Sequence, residues 1–282
     1  MRAMVVAALM AWTTPMVAQQ PTAPVLLNHL YAVIDSATYA EIVASPFLSD
    51  QFSGFKATSP ATWFGKHSYL ELFDPKGFEG ARDGDVGIAF GVERPGSVAA
   101  VAQRMTGLGA PFDTTTERRG TPRLSEAWFH RWKPAGPDAT SPRAAFWLME
   151  YADEAARTLS LRDSLPASDL GRDRFLAPRF DATRLLGDLT GATLAIPAGD
   201  IAKLMRAMQR LGVEVFAEGE GAVIRLPEFT LRLLPAWERP GVRRLEFSLL
   251  REAAANPSFR FGAHSRLRFG PGRVAAWDFS LP

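Results

Sequence analysis

Two side chains that could do chemistry stand in strands that are otherwise apolar. His29 lies within the run LLNHLYAVI, and Glu71 lies within YLELF. Because strand side chains alternate between two faces, His29 shares a face with Tyr31. Glu71 likewise shares a face with Tyr69 and Phe73. Burying an unpaired carboxylate is costly, so Glu71 is expected to line a wet cavity, form a salt bridge or bind a metal.

A third acidic candidate is Glu150, in the apolar strand AFWLMEY. Aligned on YLELFDP without a gap, this strand places Met149 at the position of Glu71, whereas a shift of one residue places Glu150 there. The choice matters, because a one-residue shift turns a strand side chain to the other face. We favour Glu150, since a second carboxylate in an apolar strand is otherwise hard to explain.

Aromatic residues and the other histidines are candidates for a pocket wall. Trp128 and His130 alternate along AWFHRWKP, where they either line a cavity or belong to an aromatic cluster. His67 lies in a predicted hairpin turn and is expected to be solvated. The predicted pocket residues are Tyr31, Tyr69, Phe73, Trp128 and His130.

The first twenty residues have the layout of a secretory signal peptide. Arg2 precedes the apolar run AMVVAALMAW, and Met16-Val17-Ala18 resembles a small-residue cleavage site. The run is too short to span a bilayer, and no later stretch is apolar for long enough. We expect residues 1–20 to be removed and the mature chain to be periplasmic or secreted by a bacterium, without membrane insertion. The alternative is an uncleaved anchor.

Composition excludes several classes of function. The chain has 282 residues, of which 47% are hydrophobic, and its net charge is +2. So small a charge does not attract nucleic acid. Without cysteine, the chain forms no disulfide, thiolate zinc site or iron–sulfur cluster. No Gly-rich phosphate loop is present, and no organic cofactor is expected. The predicted partner is a small-molecule ligand.

A strand–helix–strand unit recurs along the chain. The segment from Gly96 to Gly109 matches the segment from Gly199 to Gly212 at a constant offset of 103 residues (199 − 96). Each segment combines an apolar helical face with a C-terminal glycine. We interpret the whole pattern as four βαβββ units, the fourth of which has only a stub of helix.

The strand NHLYAVID, the hairpin WFGKHSYLELFDP and the four units resemble the vicinal oxygen chelate superfamily, most closely a glyoxalase-like branch. This superfamily includes glyoxalase I, extradiol dioxygenases and bleomycin-resistance proteins. The resemblance implies an α+β fold in which pairs of βαβββ modules form curved mixed sheets. The expected organisation is an N-terminal glyoxalase-like domain at 26–153, a linker at 154–181 and a degenerate C-terminal pair at 182–282.

The resemblance also implies a metal site on the first and last strands of the modules. His29 matches the first-strand ligand of module one and Glu71 its last-strand ligand, with Glu150 as the third. Such ligands could hold Fe²⁺, Mn²⁺, Zn²⁺ or Ni²⁺. Module two departs from the family pattern, because no ligand stands near Val86 unless Asp85 serves.

The second pair of modules lacks the metal-ligand pattern of the first pair. Arg232 matches the position of Glu71 there, and it is expected to pair with a local acid.

Two functions follow from this pattern. In the first, a divalent metal on the three candidate ligands chelates two oxygens of a small substrate, and Glu71 or Glu150 moves a proton, as in a lyase, isomerase or dioxygenase. In the second, the cavity holds an apolar or aromatic ligand without catalysis, as bleomycin-resistance proteins do. The aligned imidazole and carboxylates favour the enzyme, whereas the missing ligand near Val86 favours the binding protein.

Overall fold

The computed structural model describes residues 25–57, 60–77, 79–92, 97–119, 125–155, 171–237, 239–253 and 257–279. The predicted signal peptide, residues 1–20, lies outside these ranges, as does part of the predicted linker. No helix in the described ranges is both long enough and apolar enough to cross a membrane.

Eight strands form the first sheet, in the order β2-β3-β4-β1-β5-β8-β7-β6. Their bounds are β1 Val25–Val33, β2 Gly54–Ala57, β3 Ala61–Phe64, β4 Tyr69–Phe73, β5 Val86–Val92, β6 Phe112–Arg119, β7 Glu126–Pro134 and β8 Ala144–Tyr151. Helix α1 (Ser36–Val43) follows β1, and helix α2 (Ser97–Gly107) follows β5. A π-helical turn (Leu48–Phe52) follows α1, and 3₁₀ turns lie at Pro75–Gly77 and Gly136–Asp138.

The second sheet repeats this order as β10-β11-β12-β9-β13-β16-β15-β14. Its strands are β9 Leu186–Ile196, β10 Glu214–Glu218, β11 Gly221–Leu226, β12 Phe229–Pro235, β13 Gly241–Leu249, β14 Ser258–Phe261, β15 Ser265–Phe269 and β16 Val274–Phe279. A short helix, α3 (Arg172–Leu176), precedes β9, and helix α4 (Ala198–Arg210) follows it. Two mixed sheets built from such modules confirm the predicted α+β fold class.

The fourth module differs from the other three in strand direction. In the first three, the last strand runs parallel to the first, across a connection that contains a helix. In the fourth, only residues 250–257 connect β13 to β14, and β16 runs antiparallel to β13. A parallel crossover needs a dozen or more residues, usually a helix. The short connection therefore forces the reversed direction.

The two sheets pack against each other around one apolar core. Fully buried Trp63 and Trp277 meet edge to face with ring centroids 5.7 Å apart, and Phe52 meets Phe247 at 5.6 Å. Each sheet therefore has an inner face, which contributes to this shared core, and an outer face. In β4 the inner residues are Leu70 and Leu72.

Polar contacts join the two halves at the edge of this core. Asp188 of β9 accepts hydrogen bonds from the Ser68 hydroxyl at 2.6 Å and from the His67 amide at 3.0 Å. Burial raises the pKa of Asp188. The His67 ring also lies 2.7 Å from the Asp173 carboxylate. The turn at His67, expected to be solvated, is thus a docking point between the halves.

Candidate functional site

The outer face of the first sheet carries a continuous set of ring contacts, which we call the ring cluster. Its members are His29, Tyr31, Tyr69, Phe73, Trp128, Trp147, Tyr151 and Phe175. Outward residues of β1, β4 and β8 supply most of these rings, because side chains at alternate positions of a strand share a face. Four of the five predicted pocket residues belong to it.

His29 is the most enclosed polar member of the ring cluster. Its ring stacks on Tyr69 with centroids 4.5 Å apart, and the edge of Trp147 lies 5.6 Å away. The Nδ1 atom is 2.9 Å from the Asn28 side-chain oxygen. Burial lowers the pKa of His29 to about 3, because no solvent is available to stabilise the charged imidazolium. The imidazole is therefore neutral at physiological pH.

Tyr31 lies over the first strand of module two, two residues from Ala89, which matches His29 in the strand register of the two modules. Its ring covers the backbone of Gly87 on β5, and a β-carbon at residue 87 would lie 2.0 Å from the Tyr31 Cε1 atom. Burial and the nearby Asp85 raise the pKa of Tyr31 to about 12. Asp85 itself lies 3.0 Å from the Arg143 guanidinium and accepts a hydrogen bond from the Arg82 amide. These contacts give Asp85 a structural role rather than that of the missing ligand.

Helix α3, within the predicted linker, covers part of this outer face. Phe175 lies 5.1 Å from Tyr151 and 5.8 Å from Trp128 between ring centroids. Arg172 is 5% exposed. It donates hydrogen bonds to the Leu27 carbonyl at 2.6 Å and to the carboxylate of Glu228, in the turn before β12. The segment is rich in charged residues, so its sequence did not predict that it packs on the sheet. The adjacent apolar residues Phe175 and Leu176 could have indicated this packing.

The two candidate catalytic carboxylates point to opposite faces of the first sheet. Glu71 alternates with Leu70 and Leu72, which are inner residues, so it lies on the outer face. Glu150 shares its face with the inner residue Leu148, and its carboxylate accepts a hydrogen bond from the Val98 amide at 2.8 Å.

The ungapped alignment, which matches Glu71 with Met149, therefore describes the strand better than the shifted one. Met149 packs on the outer face with Ala89 and Tyr151. Placing Glu150 on the outer face was incorrect, and its carboxylate instead binds the N-terminus of α2, where an anion is stabilised.

His130 also lies on the inner side of its strand, contrary to the prediction. It is the register partner of Glu150 across β7 and β8, and directly paired residues share a face. Its Nδ1 atom lies 3.0 Å from the Thr116 hydroxyl oxygen. The prediction placed Trp128 and His130 on one face, but the Trp128 ring contacts Tyr151 in the outer ring cluster.

The three predicted ligands do not fit a shared divalent cation. His29 and Glu71 lie on the outer face, and Glu150 lies on the inner one. Within the described ranges, no three His, Asp or Glu side chains come close enough together to hold a metal ion. A first-row metal needs such donors at about 2.0–2.3 Å from one point, and this arrangement does not supply them.

A cavity of about 490 Å³ opens beside the ring cluster. Tyr31 and Trp147 form part of its apolar wall, and Arg131 and Lys133 of β7 supply positive charge. Arg131 pairs with Glu117 at 2.8 Å, whereas the Lys133 ammonium lies 3.9 Å from the carboxylate of Asp113, which also lines the cavity. Sequence analysis missed both basic residues, although their two-residue spacing in a strand indicated a common face.

The outer face of the second sheet carries ion pairs instead of rings. Arg232 lies 3.9 Å from Glu246, as expected for pairing with a local acid, and Arg244 lies 3.2 Å from both Glu246 and Asp278. The Glu246 carboxylate fills the space above Gly191, where a β-carbon would meet it at 2.6 Å.

Strand order and module architecture define a protein of the vicinal oxygen chelate fold. The chain belongs to the family of unknown function DUF5829, whose profile matches residues 27–279. No curated protein matches the chain in sequence.

Several solved structures are similar at low sequence identity. A hypothetical protein from Staphylococcus aureus is 12% identical with a TM-score of 0.47, over 87% of this chain and 98% of that one. The Mn(II)-bound glyoxalase from Novosphingobium aromaticivorans is 12% identical with a TM-score of 0.44, over 89% and 81%. A 2,2',3-trihydroxybiphenyl 1,2-dioxygenase from Sphingomonas wittichii strain RW1 is 12% identical with a TM-score of 0.45, over 89% and 92%.

Proposed function

We propose that this chain is an exported binding protein that holds a small aromatic anion without transforming it. The ligand lies in the cavity beside the ring cluster, with its flat part against Tyr31 and Trp147 and its anionic group toward Lys133. Export rests on the signal-like layout of residues 1–20.

The observation that carries this proposal is the pairing of flat rings with positive charge in one cavity. Ligand sites are typically apolar hollows of about 300–1,000 Å³ with a few placed polar groups, and this cavity of about 490 Å³ has that composition. The Lys133 side chain is 48% exposed and its ion pair with Asp113 is long, at 3.9 Å, so an anionic ligand can reach the ammonium group.

The separation of Glu71 from Glu150 favours binding over catalysis. The enzyme function required both carboxylates and His29 around one substrate. Glu150 instead contacts the N-terminus of α2, and the Tyr31 ring covers Gly87. The residues that remain on the outer face are suited to stacking and charge pairing.

The test compares 1-naphthoate with its neutral analogue 1-naphthamide by isothermal titration of the mature chain. We expect saturable binding of 1-naphthoate and at least tenfold weaker binding of 1-naphthamide, which corresponds to about 1.4 kcal/mol. Lys133→Gln should remove most of this preference, because it deletes the charge and keeps the length of the side chain. The matched control is Lys66→Gln, which removes an exposed lysine outside the cavity lining.

Two results would overturn the proposal. One is equal affinity for the anion and the amide, which would show that the positive charge plays no part. The other is one equivalent of a first-row metal in the purified protein, lost in His29→Ala, which would restore the metal-dependent enzyme.

A further inference from the structure

Three arginines gather on the outer face of the second sheet, at its β14–β15 edge. They surround a recess of about 390 Å³, which we call the arginine recess. Its lining residues are Arg260, Ala263, Ser265, Arg266, Arg268 and Asp278. No aromatic residue lines it, which distinguishes it from the cavity beside the ring cluster.

Two arginines of the arginine recess lie directly opposite each other in the sheet. Arg260 and Arg266 are direct register partners on β14 and β15, and both are exposed. On its other side Arg266 faces Asp278 of β16, whereas Arg260 lies on the edge strand. Like charges directly opposite each other in a sheet are destabilising. A neutral residue at position 260 would relieve the repulsion and leave Arg266 opposite Asp278, so the presence of Arg260 favours an anion that lies between the two guanidinium groups.

The lining supplies one carboxylate, and other arginines already use it. Asp278 lies 3.0 Å from Arg268 and 3.2 Å from Arg244, which approaches from β13. Within the described part of the chain, no ion pair is formed by Arg260 or by Arg266. Two guanidinium groups therefore face the recess with their donors available.

We propose that the arginine recess binds a tetrahedral oxyanion, the phosphate or sulfate group of a ligand. A guanidinium presents planar, paired N–H donors that match phosphate oxygens in a bidentate manner. Two such groups from adjacent strands hold one oxyanion between them, and Asp278 fixes Arg268 at the rim. Because no aromatic residue lines the recess, the site recognises the phosphate or sulfate group of the ligand rather than a ring.

The equivalent strand of the first sheet carries a similar pair of basic residues. β7 and β15 occupy the same place in the two strand orders. β7 carries Arg131 and Lys133, and β15 carries Arg266 and Arg268, each pair spaced by two residues and lining a cavity. The two halves thus present positive charge at matching positions. In the first half the basic residues lie beside aromatic rings, and in the second half no aromatic residue lines the recess.

The experiment titrates the mature chain with inorganic phosphate at constant ionic strength, with chloride as the replacement ion. We expect saturable binding that weakens at least tenfold in Arg260→Gln and in Arg266→Gln. The matched control is Arg273→Gln, which removes an exposed arginine in the neighbouring turn, outside the lining, and should leave binding unchanged.

Thermal unfolding supplies a second readout that a structural role would not produce. Without phosphate, Arg260→Gln should melt at a higher temperature than the parent, because it removes the repulsion from Arg266 and Arg260 has no carboxylate as a register partner. Phosphate should raise the melting temperature of the parent and not that of the variant.

Two further arms identify the source of the oxyanion. Glycerol 3-phosphate represents soluble phosphate esters, and vesicles of phosphatidic acid in phosphatidylcholine represent lipid headgroups. Binding in either arm that depends on Arg260 and Arg266 supports the site and names its source. Absence of saturable phosphate binding, or an equal loss of binding in Arg273→Gln, overturns the proposal.

Discussion

The ring of Tyr31 lies over Gly87 on the neighbouring strand, so closely that the two strands accept no side chain at residue 87. Two residues further along β5, Ala89 stands where His29 stands in β1, because His29 pairs with Tyr69 and Ala89 pairs with the matching residue Trp147. Gly87 therefore gives the Tyr31 ring its place on the outer face, because a side chain at residue 87 would displace that ring. The same ring forms a wall of the cavity proposed to bind an aromatic anion.

Gly87→Ala is expected to lower the free energy of unfolding by about 1–3 kcal/mol, as an overpacked contact does. The displaced Tyr31 ring should also weaken the binding of 1-naphthoate. Chemical denaturation and titration measure the two effects. In a double-mutant cycle with Tyr31→Ala, the two positions should couple by about 1 kcal/mol or more.

The matched glycine is Gly107 in α2, where a β-carbon would meet nothing within 4 Å. Gly107→Ala should raise stability by about 0.5–1 kcal/mol, because alanine loses less conformational freedom in a helix. Additive effects of Gly87→Ala and Tyr31→Ala would contradict the close contact between them.

Glu150→Ala is expected to lower the free energy of unfolding by about 1 kcal/mol, the usual cost of losing a side-chain cap. The affinity for 1-naphthoate should stay unchanged, because the carboxylate lies on the inner side of β8. Glu150→Gln keeps an acceptor for the Val98 amide and should lose less stability. If Glu150→Ala abolished binding while the protein stayed folded, its assignment to the inner face would be wrong.

The buried His29 is expected to make stability depend on pH. Its pKa is lowered from 6.5 to about 3 in the folded chain. Between these values the unfolded chain binds a proton that the folded chain does not, so stability falls as the pH falls. Above pH 6.5 this effect disappears.

Urea denaturation at several pH values measures this dependence. Between pH 6.5 and pH 5, the parent should lose about 2 kcal/mol more than His29→Gln, at about 1.4 kcal/mol per pH unit. His264→Gln is the control and should behave like the parent. Parallel curves for the parent and His29→Gln would show that the imidazole is not held neutral.

Processing near Ala18 is expected when the full-length gene is expressed in a bacterium. Residues 1–20 have the charged start, apolar centre and small-residue end that a signal peptidase recognises. Intact-mass analysis of the exported protein should show a chain that begins close to Gln19. A full-length product confined to the cytoplasm would contradict export.

Local pattern was enough to predict much of the fold. The alternation in YLELF placed Glu71 and Leu70 on opposite faces, and the structure agrees. The glycines at the matched offset, Gly109 and Gly212, follow α2 and α4, and their φ angles are +64° and +78°. Such left-handed backbone is a property of glycine itself, so it could be recognised without knowledge of the rest of the chain.

The sequence by itself thus determined the module architecture, the buried strands and the unusual position of His29 within an apolar strand. These features depend on residue type and short spacing. Tertiary structure alone decided which face Glu150 takes, where α3 packs and which way β16 runs. Each of these depends on the pairing of residues far apart in the chain: Glu150 with Val98, Phe175 with Trp128, and β13 with β16. Strand periodicity gives two faces but not which one is inner, and that choice is made only when the sheets pack together.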